Sequence, residues 1–171
     1  SDGRIVTMPT LQLTRAAELG AELHATLRTL PGGSLFVNEF GALAEAVCRQ
    51  IEDRPTLELC AEVGGRVSAL SALASCLVEP KVDPRIIHAA RHWGAYIGLT
   101  DDIRDLEADI ASGNPSCLSV SENPTRLRIE AQKLAALHFA AAYELLPEAG
   151  RAKLTARHVL STDSAPALLA L

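Results

Sequence analysis

Aromatic residues are rare in this chain of 171 residues, where they make up 4% of the sequence and include a single tryptophan. β-Branched residues, which strands prefer, are also scarce and scattered. Alanine and leucine instead dominate a 48% apolar fraction, and both are strong helix formers. The composition therefore favours an all-α fold, and the length predicts a single domain over residues 1–171 with a sizeable core.

The sequence also lacks a basic tract and has a formal net charge of −5, which argues against a nucleic-acid partner. No apolar run approaches the roughly 18 uncharged residues of a transmembrane span, and the N-terminus has no apolar segment typical of a signal peptide. The four cysteines, Cys48, Cys60, Cys76 and Cys117, include no CxxC pair. They predict buried thiols in a reducing, cytoplasmic compartment rather than a disulfide framework.

Proline, glycine and small polar residues divide the apolar periodicity into six helical segments. Ser34 is the predicted N-cap of the second segment, and Ser112-Gly113-Asn114-Pro115 is a strong stop signal after the fourth. The predicted helices cover about 10–30, 34–53, 56–79, 84–111, 124–146 and 147–160. This pattern predicts one all-α helical bundle.

Four aspartates stand within nine positions near the end of the fourth segment, in the stretch LTDDIRDLEADIASGNP at residues 99–115. On a helix that turns about 100° per residue, with Asp101 at zero, Asp105 falls at about 40°, Asp109 at about 80° and Asp102 at about 100°. Glu107 points away, at about 240°. Like charges four residues apart repel, and near a helix C-terminus they oppose the helix dipole. Mg²⁺ prefers carboxylate oxygens as ligands, and its positive charge would offset both the mutual repulsion and the unfavourable position near the helix C-terminus. We therefore interpret the four aspartates as a magnesium site. The alternative interpretation is a solvated acidic face.

Small residues line the same helix before the aspartates. Gly94 and Gly98 fall at about 20° and about 60°, on the aspartate side of the helix, and each glycine costs about 0.5–1 kcal/mol relative to alanine. The third segment offers a similar run at Gly65 and Ala69. We interpret these four positions as the lining of a pocket for a phosphate head and an apolar tail, with close helix packing as the alternative.

Residues 50–115 resemble the class I isoprenoid synthases, an all-α superfamily of prenyltransferases and terpene cyclases. RPTLELCAEVGGRVSALSALASC is similar to the helix that follows a Lys-Thr pair in trans-prenyl diphosphate synthases, and GAYIGLTDDIRDLEAD is similar to their second DDxxD motif. Asp105 and Asp109 also match the second DxxxD motif of squalene and phytoene synthases. The resemblance implies a helical bundle of the isoprenoid synthase type.

The resemblance further implies a Mg²⁺-dependent prenyltransferase or terpene synthase that ionises an allylic prenyl diphosphate. Its catalytic residues would be Asp101, Asp102 and Asp105, with Asp109 as a further metal ligand. The metal charge would stabilise the leaving diphosphate, and a dry pocket would protect the allylic cation.

Three further residues would contact the diphosphate. Arg54 and Thr56 match the Lys-Thr pair of the family, although Pro55 between them departs from its pattern. Arg104 stands between the aspartates, where it can contact the diphosphate, compensate the acidic charge, or do both.

The chain also departs from the family, which uses two acidic motifs on opposite helices and has longer domains. Glu18, Glu22, Glu39 and Glu45 lie at ordinary surface-helix spacing and supply no first motif. We expect this motif upstream of Ser1, on N-terminal helices that this incomplete copy lacks.

The alternatives are a catalytically silent homologue that binds a partner or lipid, and an all-α Mg²⁺-dependent nucleotide pyrophosphohydrolase. The small-residue helices are compatible with a homodimer, which is common in the family.

Two histidines, His88 and His92, share a face of the fourth segment at i,i+4 spacing. This spacing can chelate a metal, but the pair points away from the aspartates and has no carboxylate nearby in sequence. We interpret it as a packing or solvated pair.

Overall fold

A computed structural model describes residues 10–52, 55–114 and 116–161, with side chains over 18–51, 55–114 and 116–155. These residues form helices without strands, which confirms the predicted all-α fold class. The helices are α1 (Thr10–Arg28), α2 (Gly33–Glu52), α3 (Leu57–Ser75), α4 (Pro84–Ser112), α5 (Pro124–Leu145) and α6 (Glu148–Ser161). In the described part of the chain, every helix is too short or too polar to cross a bilayer.

Local signals in the sequence set most helix ends. Pro84 and Pro124 begin α4 and α5, where the missing N–H of proline is not needed. The side chains of Asp83 and Asn123 cap these helices by accepting hydrogen bonds from backbone N–H groups, of Arg85 at 2.9 Å and Arg126 at 3.1 Å. α4 ends at Gly113, whose left-handed backbone (φ 72°) is the conformation that glycine adopts without strain.

α2 begins earlier than the sequence predicts. The helix begins at Gly33, so Ser34 lies inside its first turn rather than at the N-cap. The reason is tertiary: the N–H of Gly32 donates a hydrogen bond to the carbonyl of Leu77 beyond the end of α3, at 3.0 Å. A Cβ on Gly33 would fall 1.5 Å from the carbonyl oxygen of Leu27. The two glycines therefore let the turn between α1 and α2 close tightly.

α4 lies between α3 and α5, and α2 packs against α3. Side chains from the first turns of α3, the middle of α4, the loop 113–123 and α5 form the main core cluster. Its innermost members include Leu99 and Leu118, which are fully buried. A second cluster, formed by Ala69, Leu73 and Ile87, fills the other end of the contact between α3 and α4. α4 is therefore the central helix of the described bundle, and it carries both the aspartates and the histidine pair.

Candidate functional site

Four aspartates lie along the C-terminal half of α4. We call these residues the acidic face (Asp101, Asp102, Asp105 and Asp109). Asp101 and Asp105 are half-exposed, whereas Asp102 is partly buried. The four positions cover about 12 Å of helix axis at a rise of about 1.5 Å per residue. They therefore offer several oxygen ligands side by side on one rigid element.

Arg104 neutralises part of this charge. Its guanidinium contacts Asp101 at 2.8 Å and Asp105 at 3.0 Å, while the side chain itself remains 59% exposed. An exposed guanidinium can turn toward another anion at little cost, because exposed ion pairs contribute only about 0–1 kcal/mol. The structure thus shows Arg104 in the compensating role, and its predicted contact with a diphosphate stays a prediction.

Asp102 differs from its neighbours because it faces the interior. Its Oδ2 accepts a hydrogen bond from the thiol of Cys117, with a sulfur–oxygen distance of 3.1 Å. Burial raises the pKa of the Asp102 carboxyl, and repulsion by Asp109, Asp101 and Asp105 raises it further, although the hydrogen bond from Cys117 acts in the opposite direction. A bound cation would relieve this repulsion and favour the ionised carboxylate.

The start of α3 lies beside the acidic face. Cys60, in the first turn of α3, has its sulfur within 4.8 Å of a carboxylate oxygen of Asp102. Thr56 caps the same helix, since its Oγ1 accepts a hydrogen bond from the N–H of Leu59 at 3.2 Å. Arg54 lies outside the described residues. The structure therefore places the first turn of α3 beside Asp102 and gives Thr56 a role as helix cap.

The small residues predicted to line a pocket lie where α3 and α4 cross. A Cβ added to Gly94 would fall 2.2 Å from the carbonyl oxygen of Gly64. A Cβ added to Gly98 would fall 3.7 Å from the α-carbon of Gly64. Ala69 is fully buried in the second core cluster. Close helix packing thus fills the space around Gly94 and Ala69, whereas Gly65 lines the cavity described next.

A cavity of about 530 Å³ opens between α3, α4 and α5, on the N-terminal side of the acidic face. Ala95, on its wall, precedes Asp101 by about 9 Å along the helix axis. Ionisable side chains from all three helices line it: Glu58, Glu62, Arg66, His88, Arg91, His92 and His138. The spacing of His88 and His92 is visible in the sequence, whereas this cavity depends on the packing of three helices.

Two of these histidines contact each other across the helices. The Nδ1 atoms of His92 and His138 are 2.9 Å apart, so one ring donates and the other accepts. Burial lowers the pKa of both imidazoles, and repulsion between positive charges lowers it further, with His88 acting on His92 and His92 on His138. Since His138 lies 46 residues further along the chain than His92, spacing gave no signal for this pair.

The two arginines of the cavity are held by glutamates. Arg66 contacts Glu62 at 2.8 Å, and both Arg66 and Arg91 reach Glu39 on α2. Glu39 is 5% exposed, so the expectation of an ordinary surface position is wrong for this residue. The correction has a tertiary cause, because two guanidinium groups from other helices satisfy its carboxylate.

Comparisons with protein-family models, with curated proteins and with solved structures find no match to this chain. The class that the structure defines is thus an all-α bundle whose central helix carries an acidic face and, about three turns earlier, a histidine-lined cavity wall.

Proposed function

We propose that this chain belongs to a Mg²⁺-dependent class I isoprenoid synthase that ionises an allylic prenyl diphosphate for prenyl transfer or cyclisation. One observation carries the proposal: four carboxylates stand close together on α4, beside the capped start of α3, with a single exposed arginine among them. The resemblance to the class I isoprenoid synthases implies metal ligands on α4 and diphosphate contacts at the start of α3.

The donor set suits a hard divalent cation. Aspartate oxygens are preferred ligands of Mg²⁺, which commonly keeps one or two carboxylates and completes its shell with water and substrate phosphate. Asp101, Asp105 and Asp109 would hold the ion, and Asp102 would join them in its ionised form. When bound, Mg²⁺ supplies positive charge that stabilises the departing diphosphate.

The protein's own residues would orient the substrate. Arg104 would exchange one of its two exposed carboxylate contacts for a diphosphate oxygen, since a guanidinium fork matches phosphate geometry. The first turn of α3 would direct backbone N–H groups and the positive end of its dipole toward the same anion. The protein around the prenyl chain would have to exclude water from the allylic cation.

The test is diphosphate release by the full-length protein from geranyl, farnesyl and geranylgeranyl diphosphates with Mg²⁺. We expect Asp105→Asn to reduce the rate at least about a hundredfold, because metal stabilisation of a leaving oxyanion is worth several kcal/mol. Glu107→Gln is the matched control, since Glu107 is exposed on the same helix but points away from the acidic face. Loss of activity in both variants would contradict the assigned role of the acidic face.

Two other outcomes would replace the proposal. If the protein binds Mg²⁺ and a prenyl diphosphate in calorimetry but leaves every substrate intact, the chain is the catalytically silent homologue. If it releases diphosphate from nucleoside triphosphates and not from prenyl substrates, it is the nucleotide pyrophosphohydrolase.

A further inference from the structure

Two cysteines and an aspartate from three separate elements meet beside the acidic face. Cys60 comes from the first turn of α3, Asp102 from α4, and Cys117 from the loop 113–123. One ligand atom of each, two sulfurs and a carboxylate oxygen, lies within 4.8 Å of the other two. Both cysteines are buried, with 8% and 1% of their surface exposed. We call this group the thiol cluster.

The separations in the thiol cluster are close to those of a tetrahedral zinc site. With zinc–sulfur distances of about 2.3 Å, two thiolates on one tetrahedral ion stand about 3.8 Å apart, and a thiolate and a carboxylate oxygen about 3.5 Å. The Cys117 sulfur is already 3.1 Å from Oδ2 of Asp102, and no pair exceeds 4.8 Å. Side-chain shifts of about 1 Å or less would therefore bring all three atoms onto one ion.

We infer that Cys60, Cys117 and Asp102 bind a thiophilic divalent cation, Zn²⁺ in the first instance. Binding would release the protons of the two thiols, and the ion would bond to both sulfurs and one carboxylate oxygen. Because Asp102 is only half-buried, the fourth coordination position would face outward and hold water, as in three-ligand zinc sites. The ion would join the loop 113–123 to both α3 and α4.

A hydrogen-bond donor lies beside one of the two sulfurs. The side-chain amide of Gln50 lies 3.6 Å from the Cys60 sulfur and can donate to it, which is the kind of outer hydrogen bond that orients metal ligands. The contact between the two thiols lowers the pKa of Cys60, whereas the same contact, burial and the neighbouring Asp102 raise the pKa of Cys117.

This site differs from the proposed magnesium site in the chemistry of its ligands. Thiolates select soft or borderline cations, whereas Mg²⁺ requires oxygen ligands. The sites share only Asp102, so substitutions of Cys60 and Cys117 leave Asp101, Asp105 and Asp109 in place. A failed zinc experiment and a failed prenyl diphosphate experiment are consequently distinguishable.

The test uses Co²⁺ as a spectroscopic probe of full-length protein that has been reduced and stripped with a chelator. We expect one Co²⁺ per chain with thiolate-to-cobalt charge-transfer absorption, which Zn²⁺ abolishes and excess Mg²⁺ does not. Cys60→Ser/Cys117→Ser should lose this absorption. Cys48→Ser/Cys76→Ser removes the same number of thiols outside the cluster and should keep it.

Three results would overturn the inference: no charge-transfer absorption in the parent protein, equal loss in both double variants, or a Cys60–Cys117 disulfide whose reduction gives no metal binding. Asp105→Asn should retain the absorption. Should Cys60→Ser/Cys117→Ser fail to fold, alkylation of the parent protein followed by mass spectrometry decides instead. With Zn²⁺ at about ten times its Kd, alkylation of Cys60 and Cys117 must slow about tenfold while that of Cys48 stays the same, and unchanged rates at Cys60 and Cys117 would contradict the site.

Discussion

Gly94→Ala tests the contact that positions both sites, namely the crossing of α3 and α4. The new Cβ would fall 2.2 Å from the carbonyl oxygen of Gly64 and 2.4 Å from Oγ of Ser68. Real Cβ contacts essentially never fall below 3.0 Å. Because the obstacle is backbone on a packed helix, no rotamer change can relieve it, and the two helices must separate.

The magnitude follows from two opposing effects. Overpacking in a core costs about 1–3 kcal/mol, with backbone obstacles at the upper end. Alanine in place of glycine recovers about 1 kcal/mol of helix propensity. We therefore expect Gly94→Ala to lower the free energy of unfolding by about 2 kcal/mol. At about 2–4 °C per kcal/mol for a chain of this size, Tm should fall by about 4–8 °C.

Gly41→Ala is the matched control, because Gly41 lies inside α2 with no atom within 4 Å of the new Cβ. It should gain about 0.5–1 kcal/mol from helix propensity alone. Thermal and urea unfolding followed by far-UV circular dichroism measures both variants. A Gly94→Ala protein as stable as the parent would refute the close crossing and return Gly94 to the candidate pocket.

Two further predictions concern ionisable groups of the sites and are measured as free energies of unfolding in metal-free protein. Asp102→Asn should stabilise the protein at neutral pH. The folded-state pKa of Asp102 is raised above its ordinary value of 3.8, so its ionised form opposes folding above that pH and the gain should shrink as the pH falls toward 4. Glu107→Gln should give no such gain. An equal gain in both variants would contradict the conclusion that ionised Asp102 opposes folding. His138→Gln should flatten the decrease of stability at acidic pH. Since the folded-state pKa of His138 lies below 6.5, the unfolded chain binds more protons there, and stability falls as the pH drops through 6.5. An unchanged pH dependence would show that burial does not disfavour the charged imidazole.

The helices and their ends were largely predictable because their signals are local. Pro84 and Pro124 begin helices because proline lacks the N–H that the first helical turn does not need. Gly113 ends a helix because it adopts a left-handed conformation. The same holds for the acidic face, since residues four apart on one helix are neighbours wherever that helix packs. The sequence therefore predicted six helices and the alignment of four aspartates.

Contacts between helices were not predictable in this way. Asp102 meets Cys117 across 15 residues, and His92 meets His138 across 46. The burial of Glu39 depends on Arg91, 52 residues further along the chain. None of these pairs leaves a spacing pattern, because the register between two helices depends on how all their side chains interdigitate.

The sequence by itself determined which residues are helical and which side of α4 is acidic, because hydrogen bonds and side-chain directions within a helix repeat at a fixed local period. Only the tertiary structure decided that Asp102 faces two thiols while Asp101 and Asp105 face solvent, and that Gly94 contacts α3 rather than a ligand. The physical reason is that packing selects one relative position of the helices out of many that the same local pattern allows.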